Sequence, residues 1–283
     1  MQKIKLPNNL QTTINYHSSY CELHTFRKNG QDVVKPVQRM VIDGEVVCPR
    51  CRKEAQEKKL EQVENTKFKQ LEQLRRYNTL YKESHVSDAT ILTATFENYT
   101  TECEEQGVNL NSMKRYCEQF KEGAVFNIIL QGNPGAGKSH LAYAMLQELN
   151  NHDRDAVPKK TCLFVSVDEM IRLIKDSFSN KDSKYTEHYF TDLLSNVDYL
   201  VLDDLGAETG AIDTGKSATN FVQSILYGVM NARQDKVTIS TTNLSGKSLF
   251  NMYDKKLVSR LLRNPQYVIF KDTKDKRMEQ IPF

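Results

Sequence analysis

The chain has 283 residues, of which 39% are hydrophobic and 27% are charged, and its formal net charge is +3 at pH 7. No apolar run approaches the roughly 18 residues needed to cross a membrane, and the N-terminal stretch lacks the apolar core of a secretory signal. These features argue against an integral membrane protein and a secreted disulfide scaffold, so we expect a cytoplasmic protein with no membrane partner. The charge is uneven, because residues 1–90 carry 16 Lys and Arg against 11 Asp and Glu. This excess favours an acidic partner for that part of the chain.

Residues 1–52 contain two pairs of residues with metal-ligand spacing. Cys21 and His24 form the first pair, Cys48 and Cys51 form the second, and a predicted β-hairpin lies between them. Cysteines clustered in this way in a reducing compartment hold a metal more often than they form disulfides. The alternative is that the first pair consists of unrelated surface residues. We predict a small module in which Cys21, His24, Cys48 and Cys51 bind one structural Zn²⁺, since no general base accompanies them.

Residues 53–89 are predicted to form a polar linker helix that ends in a boundary segment. Apolar side chains such as Leu60, Val63 and Leu71 recur near one face of this helix. Lys67 and Gln70 interrupt the heptad pattern, so a solvated helix is favoured over a coiled coil. The remaining residues, 90–283, are expected to form one domain, beginning with a helix over 103–122.

A phosphate-binding loop is the strongest motif in this domain. An apolar run over 125–130 predicts a buried strand, and apolar residues at helical spacing follow the loop. Between them the sequence fits G-x-x-x-x-G-K-[ST], whose backbone N–H groups surround phosphate. The candidate nucleotide-binding residues are Gly132, Asn133, Pro134, Gly135, Ala136, Gly137, Lys138, Ser139 and His140. Lys138 is expected to bind the β- and γ-phosphates and Ser139 to bind Mg²⁺. A glycine-rich turn that matches by chance is the alternative.

Polar side chains end two later strands. Asp203 and Asp204 close the run YLVLDD, so Asp203 is expected to belong to the nucleotide's Mg²⁺ shell and Asp204 to polarise the attacking water. An acidic loop after a core strand is the alternative. Asn243 follows a predicted strand at 237–241, at the sheet edge where open α/β folds bind ligands. We expect Asn243 to hydrogen-bond the γ-phosphate or the lytic water, and capping of the next helix is an equal competitor.

Predicted strands and helices alternate through the rest of the domain. Further strands are expected at 160–167 and 266–270, and helices at 168–178, with Asp168 as N-cap, and at 185–194. This alternation predicts an α/β domain built on a five-stranded parallel sheet that helices cover on both faces.

Basic and aromatic residues are interleaved between positions 168 and 195. They comprise Arg172, Lys175, Lys181, Lys184, Tyr185 and Tyr189. Such a mixture suits the phosphates and stacked bases of single-stranded DNA. A solvated helix face is an equally good interpretation.

Four segments together resemble a known family. The chain resembles AAA+ ATPases of the initiator and helicase-loader clade in the sequence, order and spacing of these segments. They are GNPGAGKSH, YLVLDDLG, STTNLS and KLVSRLLR. The resemblance is greatest to replicative helicase loaders of the DnaC/DnaI type, and it covers roughly residues 90–275. It implies an AAA+ P-loop NTPase fold and places ATFENY (residues 94–99) near the adenine. The chain ends soon after its last strand, so we expect no helical lid.

The resemblance also implies roles for individual residues. The glycine loop and acid pair would bind ATP or ADP with Mg²⁺, and Asn243 would act as a sensor. Arg260 would be an arginine finger that reaches the site of a neighbouring subunit, and Arg263 is the alternative finger. Asp204 stands where many AAA+ proteins have Glu, which implies slow, switch-like ATP hydrolysis.

The function that the resemblance implies is the loading of a replicative DNA helicase. The zinc-like module with its helix resembles the helicase-binding N-terminal domain of the DnaI type. We therefore expect the module to bind the hexameric helicase, and the ATPase domain to self-associate and touch single-stranded DNA. The rival is a transposition helper ATPase, which shares the four motifs but typically lacks the CxxH…CxxC module. A small-molecule P-loop kinase and a zinc-dependent DNA-binding regulator fit less well, since neither an acceptor pocket nor a recognition helix is evident.

Overall fold

The computed structural model describes residues 15–28, 30–152, 159–209, 217–273 and 275. The chain divides into two compact units, Met1–Leu71 and Glu72–Phe283. Residues of helix α1 (Pro49–Lys82) fall in both units. This helix begins four residues before the predicted start of the linker, because Pro49 suits the first turn of a helix. Cys51 consequently lies in the first turn of α1.

The N-terminal unit contains short antiparallel strands. They are β1 (Asn15–Cys21), β2 (Thr25–Lys28), β3 (Gln31–Val34), β4 (Val37–Ile42) and β5 (Glu45–Val47). β1, β4 and β5 form one sheet, and β2 pairs only with β3 among the described strands. The predicted hairpin between the ligand pairs is confirmed as β4–β5. Its two turn residues, Asp43 and Gly44, have φ values of 53° and 84°, as a tight two-residue hairpin turn requires.

The second unit is built on five strands and the helices that cover them. The strands are β6 (Asn127–Gly132), β7 (Cys162–Ser166), β8 (Tyr199–Leu205), β9 (Val237–Thr242) and β10 (Pro265–Phe270). The helices after α1 are α2 (Glu104–Lys121), α3 (Lys138–His152), α4 (Val167–Ser177), α5 (Glu187–Asn196), α6 (Asn220–Ala232), α7 (Gly246–Met252) and α8 (Lys255–Leu261). The strands pair in the order β10-β6-β9-β8-β7, and every pair is parallel. The predicted α/β class and five-stranded parallel sheet are confirmed.

Two apolar cores pack against the sheet. Successive residues of β8 alternate between them, since Val201 belongs to one core and Leu200 and Leu202 to the other. Successive side chains of a strand point to opposite faces, so the cores lie on the two faces of the sheet. A strand buried on both faces reads as a continuous apolar run, which is why β8 was recognisable in the sequence.

One predicted cap is wrong. α4 begins at Val167, its N-cap is Ser166, and Asp168 lies within its first turn. An acidic residue there still interacts favourably with the positive end of the helix dipole. α7, a short helix after β9, was not predicted.

Candidate nucleotide-binding site and metal centre

The glycine loop connects β6 to α3 and surrounds the ammonium group of Lys138. Lys138 is 5% exposed, and its Nζ donates to the carbonyl oxygens of Gly132 at 2.9 Å and Asn133 at 2.7 Å. The same Nζ donates to Oδ1 of Asn243 at 2.7 Å. The predicted phosphate-binding lysine and the predicted sensor therefore meet at the C-terminal edge of the sheet.

The segment ATFENY lies directly against this loop. Gly137 has a φ of 89°, and a Cβ at this position would come within 2.8 Å of the ring of Tyr99. The Tyr99 hydroxyl donates to the Ala136 carbonyl at 3.4 Å, and Nε2 of His140 donates to the Thr95 carbonyl at 3.0 Å. A side chain at residue 137 would be both strained and obstructed, so glycine is needed there.

A cleft of about 250 Å³ opens beside the loop. It is lined by Asp88, Thr90, Ile91, Pro134, Gly135, Ala136, Gly137, Lys138, Ser139, His140, Asp204 and Asn243. Most of the predicted nucleotide-binding residues thus border one space. Asp88, Thr90 and Ile91 were not predicted, because they belong to a short 3₁₀ segment with no motif of its own.

The two predicted acids lie near the end of β8, and Asp204 lines this cleft. Asp203 is 1% exposed, and its Oδ1 accepts a hydrogen bond from Oγ1 of Thr241 at 2.6 Å. Burial, followed by the charge of Asp204, raises the pKa of Asp203 to about 6, although the hydroxyls of Thr241 and Ser139 act in the opposite direction. A cation beside Asp203 would favour its ionised form, and carboxylate and hydroxyl oxygens are ligands that Mg²⁺ prefers. Asp203 and Ser139 therefore fit the edge of a nucleotide-bound Mg²⁺ site.

The helix-capping alternative for Asn243 is wrong. The N-cap of α7 is Ser245, whose hydroxyl accepts a hydrogen bond from the N–H of Ser248 at 3.1 Å. The Asn243 amide oxygen faces Lys138 instead.

Arg260 lies at the opposite end of the sheet from the glycine loop. The side chain of Asn127, the first residue of β6, donates to the Leu261 carbonyl at 3.2 Å, which fixes the end of α8 there. β6 is roughly 17 Å long at the usual rise per residue. The Arg260 guanidinium lies 4.3 Å from the ring centroid of Tyr227, and its Nε donates to Asn231 Oδ1 at 3.1 Å. Arg260 therefore lies away from the phosphate loop of its own chain.

The four predicted metal ligands converge in the N-terminal unit. The ligand atoms of Cys21, His24, Cys48 and Cys51 all lie within 4.8 Å of one another. The sulfurs of Cys21 and Cys51 are 3.7 Å apart, and Nε2 of His24 is 3.2 Å from the sulfurs of both Cys48 and Cys51. These separations suit a tetrahedral Zn²⁺ with bonds of about 2.0–2.3 Å. Three thiols and one imidazole form a chemically complete zinc site.

Local groups affect the thiols of this cluster differently. A hydrogen bond from the Leu23 N–H lowers the pKa of Cys21. The pKa of Cys48 is lowered despite burial, because the Cys51 N–H donates to its sulfur and the sulfur also forms a hydrogen bond with His24. Burial and the neighbouring thiols raise the pKa of Cys51 to about 11. Glu54 Oε1 lies 3.5 Å from Nδ1 of His24, and a carboxylate in this position orients a metal-binding imidazole. Glu54 was not predicted, although it follows Cys51 by one turn of helix.

Several of the predicted DNA-contacting side chains already have partners in the protein. Arg172 is bonded to Glu169 at 2.6 Å and to Asp176 at 3.2 Å. Lys184 lies over the ring of Tyr189, whose hydroxyl donates to Glu83 at 2.7 Å. These contacts reduce the positive charge and the aromatic surface that the group can offer to DNA.

Comparison with known proteins finds an ATP-binding family and relatives that are named helicase loaders. The profile of the family described as IstB-like ATP binding protein matches residues 70–263. The replicative helicase loader DnaC of Escherichia coli (strain K12) is 30% identical over 178 residues, which cover 62% of this chain and 66% of the relative. DnaC of Buchnera aphidicola subsp. Schizaphis graminum (strain Sg) is 29% identical over 182 residues, which cover 63% of this chain and 68% of the relative. The chain thus spans just under two thirds of the E. coli protein.

A solved structure has the same fold. A crystal structure of the DnaC helicase loader has a TM-score of 0.52 and 22% identity to this chain, and the match covers 65% of this chain and 100% of the other. This likeness confirms that the chain has the fold of a helicase loader of known structure, and the relatives confirm the resemblance to DnaC-type loaders. In the described part of the chain, no helix is long and apolar enough to span a membrane. The profile match extends over well more than half of the sequence, and the chain belongs to the family of IstB-like ATP-binding proteins.

Proposed function

We propose that this chain is an ATP-dependent loader that binds a replicative DNA helicase and helps to place it on single-stranded DNA. The observation that carries the proposal is the meeting of Lys138, Asp204 and Asn243 at one cleft, with Asp203 buried next to Asp204, in a chain whose named relatives are replicative helicase loaders. ATP would act mainly as a switch, since Asp204 is a shorter acid than the Glu common at this position.

Each residue at the cleft has a role that follows from its chemistry. Lys138 would exchange its contact with Asn243 for the β- and γ-phosphates, and Ser139 and Asp203 would hold the nucleotide's Mg²⁺. That ion would neutralise charge on the phosphates during hydrolysis. Asp204 would accept a proton from the attacking water, and the released Asn243 amide would hydrogen-bond the γ-phosphate or that water. The Lys138–Asn243 hydrogen bond would then exist only when ATP is absent.

The N-terminal unit is proposed to bind Zn²⁺ and to contact the helicase hexamer. Cys21, His24, Cys48 and Cys51 would hold the ion, and Glu54 would orient His24. The role of the ion would be structural, because four protein ligands leave no open position for a substrate.

We further propose that Arg260 acts on the nucleotide of a neighbouring subunit. Its distance from its own phosphate loop supports contact with another chain, and such head-to-tail contacts build rings or open spirals. Arg260→Ala should bind ATP normally but lose ATP-dependent self-association and about 10³-fold in turnover. Mixing it with Lys138→Ala protein should restore some activity, because one intact finger then meets one intact loop.

Arg263→Ala is the matched control for this experiment. Arg263 lies on the same surface, and its guanidinium donates to the carbonyl of Gln234. If mixing with Lys138→Ala protein restores the activity of Arg263→Ala but not that of Arg260→Ala, the arginine finger is Arg263. Full ATPase activity of dilute, monomeric Arg260→Ala protein would exclude action in trans.

The helicase assignment is tested with the full-length chain as bait. Wild-type and Lys138→Ala proteins would be incubated with host lysate and ATP, and the captured proteins identified by mass spectrometry. A captured hexameric helicase would then be purified and assayed for unwinding of circular DNA coated with single-strand-binding protein. ATP-dependent stimulation by wild type alone supports the proposal. Recovery of a transposase in place of a helicase would support the transposition helper, which the family description also accommodates.

A further inference from the structure

β8 contains an extra residue beside the two acids. The pairing of β8 with β9 runs from Leu202↔Ser240 to Leu205↔Thr242, so three steps along β8 match two steps along β9. On its other side, β8 keeps regular pairing with β7 as far as Ser166↔Asp203. The irregularity is therefore a β-bulge confined to the β9 side, at the end of β8. Bulges of this kind commonly redirect a side chain next to an active site.

The bulge brings two adjacent acids to one site. In a regular strand Asp203 and Asp204 would point to opposite faces of the sheet. Asp204 has a φ of 55°, which is the left-handed region that non-glycine residues rarely adopt. In this conformation Asp204 lines the phosphate cleft, while Asp203 lies near enough to Ser139 of the glycine loop for that hydroxyl to lower its pKa. The sharing of one site by both acids depends on this backbone conformation.

One buried hydroxyl joins the two acids. Thr241 is fully buried, its Oγ1 accepts from the N–H of Asp204 at 2.8 Å, and its hydroxyl donates to Oδ1 of Asp203 at 2.6 Å. A hydroxyl has one proton, so accepting from the Asp204 N–H leaves that proton for the carboxylate of Asp203. The same atom thus satisfies the N–H at the bulge and orients the carboxylate.

We propose that Thr241 is a positioning residue that holds both acids in the geometry needed to bind the nucleotide's metal ion and to activate water. This inference rests on the proposed ATPase function and deepens it by naming the group that aligns the acid pair. Thr241 would act through Asp203 and Asp204 and would not touch the nucleotide. Removing its hydroxyl leaves a buried N–H without an acceptor and frees the Asp203 carboxylate to rotate.

The test compares Thr241→Val, which keeps the shape but loses the hydroxyl, with Thr241→Ser, which keeps the hydroxyl. Partners that orient metal ligands typically contribute about 10–100-fold to metal affinity or activity. Thr241→Val should therefore lose about 10–100-fold in kcat and in Mn²⁺ affinity of the ADP complex, measured by electron paramagnetic resonance. KM for ATP should change little, because Lys138 and the loop remain intact. Thr241→Ser should stay close to wild type in both measurements.

Thr238→Val is the matched control. Thr238 is also buried on β9, and its hydroxyl accepts from Arg233 Nε at 3.2 Å, at the other end of the strand. This variant should lose thermal stability without a change in kcat or Mn²⁺ affinity. If Thr241→Val does not fold, Thr241→Cys, which replaces the hydroxyl by a weak thiol donor, is compared with Thr241→Ser in the same way.

The inference and the proposed function fail in different ways. Wild-type kcat and Mn²⁺ affinity in folded Thr241→Val protein, or in Thr241→Cys if that variant is needed, would overturn the positioning role. Equal losses in Thr241→Val and Thr241→Ser would also overturn it, since the hydroxyl would then not be the cause. A wild-type protein that binds Mn²⁺–ADP but never stimulates a helicase would contradict the proposed function, and the metal measurement would still test Thr241.

Discussion

The two units of this protein are stabilised in different ways. Between residues 15 and 71, the only buried side chains among those described are Cys21, His24 and Cys48, all members of the metal cluster. The Glu72–Phe283 unit instead buries two extended apolar cores on either face of a parallel sheet. Small folds bury too little apolar surface to be stable alone. We therefore expect the first unit to depend on a bound metal for its fold, and the second to need a metal only for its proposed chemistry.

Removing the metal should give the largest difference between the units. Structural zinc contributes about 10–16 kcal/mol of apparent binding free energy in zinc-finger peptides. A strong chelator should therefore unfold residues 15–48 while the five-stranded sheet remains folded and ATP binding persists. Hydrogen exchange resolved along the full-length chain, together with metal analysis, measures both effects.

Cys48→Ser and Cys103→Ser form a matched pair for this prediction. Cys103 is exposed and lies outside the cluster. Cys48→Ser should lose its zinc, and Cys103→Ser should keep one ion per chain. Equal zinc contents in Cys48→Ser and wild type would contradict the ligand assignment.

In the second unit, the ionised carboxylate of Asp203 should reduce the free energy of unfolding of the protein without nucleotide or metal. The pKa of Asp203 is raised from 3.8 to about 6, so the folded state binds the proton more tightly than the unfolded state. The cost of ionising Asp203 is absent below pH 3.8, grows as the pH rises towards 6, and is complete above it. Asp203→Asn should then stabilise the nucleotide-free, metal-free protein by about 2–3 kcal/mol at pH 7.

Urea unfolding at pH 7 and pH 4 measures this gain. The gain should be nearly lost at pH 4, where wild-type Asp203 is protonated in the folded state. Asp204→Asn is the control, because Asp204 is only partly buried and a smaller change is expected. A loss of stability in Asp203→Asn at pH 7 would show that the ionised form is favoured by the fold.

A smaller effect is expected at the support of the zinc ligand. Glu54→Gln removes the carboxylate beside His24 and should weaken zinc binding by up to about 10-fold, since the Glu54 side chain is only half buried and also pairs with Arg50 at 3.0 Å. Competition with a fluorescent chelator measures this affinity. Glu57→Gln, which removes an exposed pair with Lys53 at 3.7 Å, should leave it unchanged. Similar affinities in both variants would remove Glu54 from the site.

The smallest effect is expected on the surface of the second unit. Arg172 already pairs with two acids, and exposed ion pairs contribute about 1 kcal/mol or less. The double variant Arg172→Ala/Lys175→Ala should therefore change affinity for single-stranded DNA by less than about 3-fold. Fluorescence anisotropy over a series of salt concentrations measures it. A 10-fold loss with a shallower salt dependence would restore this group as a DNA-contacting patch.

Motifs whose chemistry is local could be predicted from the sequence. The glycine loop, the apolar run before Asp203 and the CxxH and CxxC pairs could each be recognised from a short stretch of sequence. In each of them the residues that act together are close neighbours in the chain. The order of strands and helices also predicted a parallel sheet, since alternating elements have few other ways to bury both faces. The cap of α4, the strands β1–β3 and the position of Glu54 were missed, because they depend on small preferences that packing overrides.

The sequence by itself determined that this chain has a phosphate loop, an acid pair, a polar residue after a later strand and two pairs of Cys and His residues with metal-ligand spacing. Only the tertiary structure decided which of these meet. Lys138 and Asn243 are 105 positions apart, and their contact depends on β6 and β9 being neighbours in the sheet. The alignment of Asp203 and Asp204 depends on a single extra residue in β8 and on the hydroxyl of Thr241. Strand order and register arise from packing across the whole domain, so no local pattern could reveal them.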